Sequence, residues 1–177
     1  MEKIDILKLL KDDDSRLDIL PKLTQTNDPD IVWEIISLFD AEKIEVRGEV
    51  FSTLFLNEND ILEQLLKGLK HESKNVRGYT LLVIANRNEK NAIKEIMELT
   101  NDSSGLVRTC AYGALGHLEI KESSKELHNG IFDANLEAVK SAAYALARIK
   151  EKISQEEIDS MKRLETTEFE KIFKFFN

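Results

Sequence analysis

Four segments of the chain carry a basic residue at the same internal position, at successive intervals of 30, 31 and 32 residues. The segments are IEVRGEVFSTLFL, KNVRGYTLLVIAN, GLVRTCAYGALGH and EAVKSAAYALARI, and their basic residues are Arg47, Arg77, Arg108 and Lys140. A self-similarity of this period is typical of helical hairpins that stack because none can bury its apolar face alone. The sequence therefore predicts an all-α fold, a right-handed α-solenoid of about five to six antiparallel hairpins.

Apolar columns accompany the basic column in each copy. A valine stands one residue before the basic position, a valine or small residue three after it, and an aliphatic residue or alanine seven after it. Residues at these spacings share one face of a helix, which we expect to be the core face. The columns are Val46, Val76, Val107 and Val139; Val50, Thr80, Ala111 and Ala143; and Leu54, Ile84, Leu115 and Ala147.

Helical periodicity extends on both sides of these copies and predicts six pairs of helices. The predicted pairs are 2–11 with 14–26, 29–39 with the segment after Asp40, 59–70 with 73–87, 89–100 with 105–118, 121–132 with 135–150, and 154–165 with 168–176. We expect Pro21 to distort its helix and Pro29 to occupy a first helical turn. The prediction is one domain over residues 1–177, with the best repeats at 29–150 and a C-terminal cap at 153–177.

Charge is unevenly distributed. The net charge is −8, and residues 1–42 hold 11 acids against 5 bases, whereas residues 43–118 hold 10 of each. An acidic end disfavours nucleic acid as a partner. The run Asp12, Asp13 and Asp14 is either a solvated helix start or a docking patch for a basic partner.

Compartment and assembly follow from composition. A single cysteine, Cys110, forms no internal disulfide and favours a reducing compartment. The N-terminal sequence lacks the apolar run of a signal peptide, and no stretch approaches the length of a membrane span. We expect a cytoplasmic protein that does not associate with a membrane, with a monomer slightly favoured.

The basic column requires a physical role, because an unpaired charge beside a core is costly. Acids precede three of the basic residues by six or seven positions: Asp40, Asp102 and Asp133. An acid in the turn before a helix caps that helix and pairs with a nearby base. The column is therefore either a structural ladder between repeats or a contact surface for a ligand.

A second column lies four residues beyond each basic position and carries large apolar or aromatic side chains. Arg together with aromatic residues is the usual anchor of a protein interface, although rings at helical spacing also fill cores. The candidate partner-binding residues are Arg47, Phe51, Arg77, Leu81, Arg108, Tyr112, Lys140, Tyr144 and Arg148.

Groups that carry chemistry do not converge in the sequence. The histidines, His71, His117 and His128, are scattered, and no phosphate-binding loop is present. Cys110 lies within a core pattern, where a thiol is inert. Trp33 is interpreted as a core residue, with a ligand platform as the alternative. The sequence predicts no catalytic residue, no metal site and no cofactor.

The turn acid, the Val-Arg pair and the small residue that follows resemble the HEAT repeat, and DSSGLVRTCAYGALGHL is the clearest copy. The period of about 30 residues is similar to that of the short HEAT-like repeats of phycobilisome bilin lyases. The resemblance covers Asp40 to Lys150. It implies a scaffold that binds proteins and carries over no catalytic residue.

Three functions are compatible with these observations. The leading one is a noncatalytic protein–protein interaction module that binds its partner through the concave second-helix surface. The second is an immunity or inhibitor protein that neutralises a basic toxin or nuclease, which suits the small acidic chain. The third is a HEAT-like enzyme of the bilin lyase or alkylated-DNA glycosylase type. No pigment-handling motif is present, and the net charge argues against the glycosylase, although the basic column could line a local positive groove.

Overall fold

The computed structural model describes residues 1–164 and 167–176, without the side chain of Glu168. Within these residues the chain forms twelve α-helices, joined by turns and short 3₁₀ segments, and no strand. They are α1 (Lys3–Lys11), α2 (Arg16–Ile19), α3 (Pro29–Ser37), α4 (Ile44–Phe55), α5 (Leu62–Gly68), α6 (Lys74–Asn86), α7 (Ile93–Glu98), α8 (Gly105–His117), α9 (Ser124–Gly130), α10 (Leu136–Arg148), α11 (Gln155–Lys162) and α12 (Thr167–Phe173). The prediction of an all-α fold is confirmed. Of the described helices, none is long and apolar enough to cross a membrane.

The helices divide into two compact units. Unit 1 is Met1–Arg87 and contains α1 to α6, and unit 2 is Asn88–Asn177 and contains α7 to α12. In unit 1 the first helices α3 and α5 are followed by the second helices α4 and α6, which carry Arg47 and Arg77. In unit 2 the first helices α7 and α9 are followed by the second helices α8 and α10, which carry Arg108 and Lys140. The single domain over residues 1–177 stays a prediction.

Prolines and caps set the helix boundaries in unit 1. Pro29 occupies the first turn of α3, where the Asp28 carboxylate accepts hydrogen bonds from the backbone N–H groups of Asp30 and Ile31 at 3.0 and 3.2 Å. Such a cap satisfies donors that the helix itself leaves unpaired. Pro21 lies in a 3₁₀ segment, Leu20–Leu23, that directly follows α2. The predicted distortion at Pro21 and the predicted position of Pro29 are therefore both confirmed.

The columns read from the repeats belong to the core, together with apolar residues of the first helices such as Ile35, Leu65 and Leu127. The column valines are 0–1 % exposed, and the residues three positions after the basic group are fully buried. Of the third column, Leu54, Ile84 and Leu115 are fully buried and Ala147 is half-buried. Burying one medium aliphatic side chain contributes about 1.5–3 kcal/mol. The columns thus account for much of the stability of each unit.

Trp33 departs from its predicted place in the core. Its ring is half-buried, and the Lys67 ammonium nitrogen lies 3.8 Å from the ring centroid. A cation over an aromatic face is attracted by the ring quadrupole. The long lysine side chain covers a ring that the fold leaves partly open.

In unit 2, glycines let helices approach closely. A Cβ atom on Gly116 of α8 would lie 2.6 Å from the Ala145 Cβ of α10, and one on Gly130 of α9 would lie 2.7 Å from the Ala142 Cβ. Real Cβ atoms do not approach this closely, so only glycine fits at both positions. The small residues of α8, α9 and α10 therefore set the close packing of these helices.

Helices α11 and α12 of unit 2 lie in the segment for which the sequence predicts a C-terminal cap, and the cap itself stays a prediction. Ser154 and Glu157 form a reciprocal capping box at the start of α11, and α12 packs against α10. The spacing of Phe169, Ile172, Phe173 and Phe176 predicts that they share one apolar face of the tail. Phe169 and Ile172 are buried, whereas Phe173 and Phe176 are half-buried. A covered apolar end is what a repeat array requires. Residues 165, 166 and 177 of the predicted cap lie outside the described residues.

Candidate partner-binding surface

The basic side chains of the second helices fold back onto the turn that precedes their own helix. The Arg47 Nη1 donates to the carbonyl oxygens of Ala41 and Glu42 at 2.7 and 2.8 Å. The Arg77 Nη1 donates in the same way to His71 and Glu72, at 2.8 Å each. Each arginine thus satisfies carbonyl groups of the turn that joins the first helix to the second.

Arg108 repeats this pattern and adds an ion pair. Its Nη1 donates to the Asp102 carbonyl oxygen at 2.9 Å, while its Nε and Nη2 donate to the two carboxylate oxygens of Asp133 at 2.7 Å each. The hydrogen bonds from Arg108 hold the pKa of Asp133 below 3.8, against the opposing effect of burial. The same contact raises the pKa of Arg108. A two-point arginine–carboxylate contact is among the strongest polar contacts in proteins.

The turn acids link one repeat to the next. Asp133 lies in the turn before α10, whereas its partner Arg108 belongs to α8. In unit 1, Asp40 before α4 accepts hydrogen bonds from Ser73 and Asn75 at the start of α6. Asp40 and Asp133 therefore each contact the neighbouring repeat, which is the arrangement expected of the structural ladder, one of the two alternatives left open by the sequence.

The remaining two basic residues lie on α10. The Lys140 Nζ is 3.0 Å from a Glu137 carboxylate oxygen, one turn away. The Arg148 Nη2 donates to Glu119 at 3.2 Å, and both side chains are more than half exposed. Exposed pairs of this kind contribute little to stability. The side chain of Arg148 is therefore accessible, and its contact with Glu119 is not buried.

The aromatic column is divided between core and surface. Leu81 is fully buried, and Tyr112 is buried with its hydroxyl donating to the Thr100 carbonyl oxygen at 3.4 Å. Burial is the main reason that the pKa of Tyr112 is raised. Phe51 is half-buried, and Tyr144 is 43 % exposed. Of this column, Phe51 and Tyr144 are therefore the two residues whose rings remain partly accessible.

The structure shows an accessible apolar face on α4 that the repeat alignment missed. Ile44 and Phe55 are 69 % and 45 % exposed, and the Phe55 ring stacks on Phe51 with centroids 5.9 Å apart and planes at 14°. Between them, a Cβ on Gly48 would meet no atom within 4 Å. The signal in the sequence was the spacing 44, 48, 51 and 55, which follows one face of a helix opposite Val46 and Val50.

Groups with chemical reactivity are buried or dispersed. Burial raises the pKa of the Cys110 thiol to about 11, so that the thiol stays protonated at neutral pH. His128 Nδ1 lies 2.5 Å from a Glu157 carboxylate oxygen, at the capping box of α11. Among the described residues, no three metal-ligating side chains cluster in a way that would hold a metal ion.

The tertiary structure is similar to known repeat proteins. A designed armadillo repeat protein in complex with the peptide (KR)4 matches with a TM-score of 0.57 and 19 % identity, over 100 % of both chains. A computationally designed armadillo repeat protein for modular peptide recognition matches with a TM-score of 0.56 and 18 % identity, over 99 % of this chain and 100 % of that one. An engineered protein matches at 0.54 and 17 %, over 99 % and 94 %. At this identity the likeness establishes the fold.

The sequence comparisons agree with the fold. No curated protein matches the chain. The family model for HEAT repeats matches residues 62–147, which include α5 to α10 and the Arg77, Arg108 and Lys140 copies of the motif. Residues 62–147 of the chain are therefore similar to HEAT repeats.

Proposed function

We propose that the chain is a noncatalytic module that binds another protein through the accessible part of its second-helix surface. The observation that carries the proposal is the exposure of large apolar side chains where the second helices face away from the core. Phe51 and Phe55 form a stacked, accessible pair on α4, and Tyr144 is accessible on α10. Aromatic side chains are enriched at the centres of protein interfaces.

The arginine ladder supports a binding surface of fixed shape. Arg47, Arg77 and Arg108 hold the turns between first and second helices through carbonyl contacts. A partner that meets the second helices then loses little free energy to ordering them. In this proposal these arginines position the surface, and Phe51, Tyr144 and Arg148 contact the partner.

The similar structures are consistent with this role. Two of them are described as a complex with a peptide and as a design for peptide recognition. Repeat folds stack their hairpins into extended surfaces on which a segment of another protein can lie. The similarity to these structures supports the proposal that this chain binds a protein. It does not identify the partner.

The enzyme alternatives receive no support from the side chains. The candidates for a positive groove were Arg47, Arg77, Arg108, Lys140 and Arg148, and the first three each direct a guanidinium nitrogen to backbone carbonyl groups. The Cys110 thiol is buried, and its raised pKa disfavours a thiolate nucleophile. The immunity or inhibitor role is one form of protein binding, and identification of the partner would decide it.

The test is affinity capture with matched variants. The immobilised chain, a Phe51→Ser/Tyr144→Ser variant and a Phe132→Ser control would be exposed to the same lysate. Phe132 is 52 % exposed and lies outside the second helices. We expect a protein retained by the parent and the control and lost from the double variant.

Thermal melting of each variant separates a binding defect from unfolding. Since Phe51 is half-buried, the single variant Tyr144→Ser provides a second measurement at an accessible position. If the parent, the Phe51→Ser/Tyr144→Ser variant and the Tyr144→Ser variant retain the same proteins with equal affinity, the second-helix surface is not the binding site.

A further inference from the structure

The α4 face of unit 1 has the shape and the surroundings of a receptor for one kind of partner. Resting on the proposed function, we infer that Ile44, Gly48, Phe51 and Phe55 bind an amphipathic helix of a partner protein whose flanks are basic. The four residues are called the α4 stripe below.

The length of the α4 stripe fits a short helix. The stripe runs over eleven residue steps of α4, about 16 Å at 1.5 Å per residue. A partner helix of about three turns has the same length. Helices that lie in apolar grooves contact them through residues at the same helical spacing.

The surface of the α4 stripe has a depression that can receive one side chain of the partner helix. The missing side chain of Gly48 leaves open space between Ile44 and the two stacked rings. An aliphatic side chain of a partner placed there would contact apolar groups on both sides. Anchors that fill such pockets carry most of the binding energy of an interface.

The repeat alignment shows why this face is open on α4. The positions that correspond to Gly48 and Phe55 are Thr109 and Gly116 in α8. A Cβ on Gly116 would lie 2.6 Å from the Ala145 Cβ, so α10 covers that face of α8. On α4 a phenylalanine stands where α8 has this glycine, and its ring is accessible. The chain therefore places a large apolar side chain where the equivalent position of unit 2 is closed.

The surroundings of the α4 stripe are acidic. Glu42 and Glu45 are exposed beside it, and Glu49 is half-exposed on the next turn. The neighbouring helix α2 packs beside α4 and adds the exposed Asp18. Segments 12–23 and 42–60, which contain both helices, hold nine carboxylates and four bases.

Two of those four bases are already engaged. Arg47 donates to the carbonyl groups of its turn, and Arg16 pairs with Asp13 and donates to the Lys11 carbonyl oxygen. Lys43 is exposed directly before Ile44, but with nine carboxylates against four bases the net charge of the two segments is still −5. A partner with lysine and arginine on the flanks of its apolar face complements it, whereas an acidic partner, an anionic membrane or a second copy of this chain is repelled.

The test uses three synthetic peptides of about 14 residues, long enough for about four helical turns. One orders leucine and lysine as an amphipathic helix, the second has glutamate in place of lysine, and the third scrambles the leucine–lysine composition. Fluorescence anisotropy of the labelled peptides measures binding to the whole chain at low and high salt.

We expect the amphipathic lysine peptide to bind at least about tenfold more tightly than the other two, a difference of about 1.4 kcal/mol. High salt should weaken that binding, because part of it is electrostatic. The Ile44→Ser/Phe55→Ser variant should lose about tenfold or more, whereas the Phe132→Ser control in unit 2 should bind as the parent does. Thermal melting confirms that both variants are folded.

Three results would overturn the inference. Equal binding of the ordered and scrambled lysine peptides would show attraction by charge alone. Unchanged binding to the Ile44→Ser/Phe55→Ser variant would place the peptide elsewhere. Concentration-dependent sedimentation of the parent that this variant abolishes would show that the occupant is a second copy of the chain. A partner captured through Tyr144 would, in each case, leave the proposed function standing.

Discussion

The contact between Arg108 and Asp133 gives the sharpest test of the ladder between repeats. The side chains of Arg108 and Asp133 are only 18 % and 6 % exposed, and both bonds measure 2.7 Å. The Asp133→Asn substitution keeps the size of the side chain and one neutral oxygen acceptor. It removes the negative charge and one of the two acceptor oxygens.

The expected loss follows from the hydrogen bonds. Bonds that involve a charged group contribute about 1.5–3 kcal/mol each, and a neutral bond about 1 kcal/mol. Asp133→Asn removes one of the two charged bonds, and the bond that remains, from the Arg108 guanidinium to a neutral amide oxygen, is weaker than a bond to a carboxylate. The loss should be about 2–3 kcal/mol. For a protein of this size that loss lowers Tm by about 4–12 °C.

Urea denaturation and calorimetry measure this loss, and Glu137→Gln is the matched control. Glu137 is also paired with a base, Lys140, but its side chain is 66 % exposed. Because exposed pairs contribute about 0.2–1 kcal/mol, the control should change stability by less than about 1 kcal/mol. A double-mutant cycle with Arg108→Gln should give a coupling energy of about 1.5–3 kcal/mol. If Asp133→Asn is no more harmful than Glu137→Gln, the ladder does not stabilise the repeats.

Three further perturbations test the packing and the titration of the chain. Tyr112→Ala should lower the free energy of unfolding by about 3–5 kcal/mol because its ring is buried. Tyr144→Ala should leave the melting temperature nearly unchanged, because its ring is accessible. Equal melting temperatures of the two variants would contradict the assignment of Tyr112 to the core and Tyr144 to the surface. Gly116→Leu should cost at least about 1–3 kcal/mol by overpacking the contact with Ala145, and a calorimetric scan with unchanged Tm would show that the helices move apart freely. Burial works to raise the pKa of Glu157, but hydrogen bonds from Ser154 and His128 outweigh it and hold the pKa below its ordinary value. The stability that Glu157 contributes is therefore present above pH 4.5 and lost as the pH falls through its folded-state pKa. The loss of unfolding free energy caused by Glu157→Gln, measured by urea titration, should therefore become smaller as the pH is lowered. A loss that becomes larger at low pH would refute the predicted direction.

The repeats could be predicted in detail because the core imposes its period on the sequence. Val46, Val76, Val107 and Val139 recur beside the basic residue because each hairpin buries the same face. Local signals such as Pro29 after Asp28 act within one helical turn and were equally readable. Both kinds of information lie within a single copy of the repeat.

The surface could be predicted only in part. Phe51, Leu81, Tyr112 and Tyr144 occupy one column, yet two of them are buried and two are accessible. Their exposure depends on what the neighbouring helices place against them, which a single copy of the motif does not encode. Ile44 was missed for the same reason, since an apolar residue at a helix start looks the same whether it is covered or open.

By itself, the sequence determined that the chain is helical, where its helices pair and which face of each is core, because hydrophobic periodicity and turn chemistry act over a few residues. The tertiary structure decided that Asp133 bonds to the arginine of the preceding repeat. It also decided that α10 closes over Gly116 while the face of α4 stays open. These outcomes depend on the distance and rotation between neighbouring helices, which are set by packing across many residues.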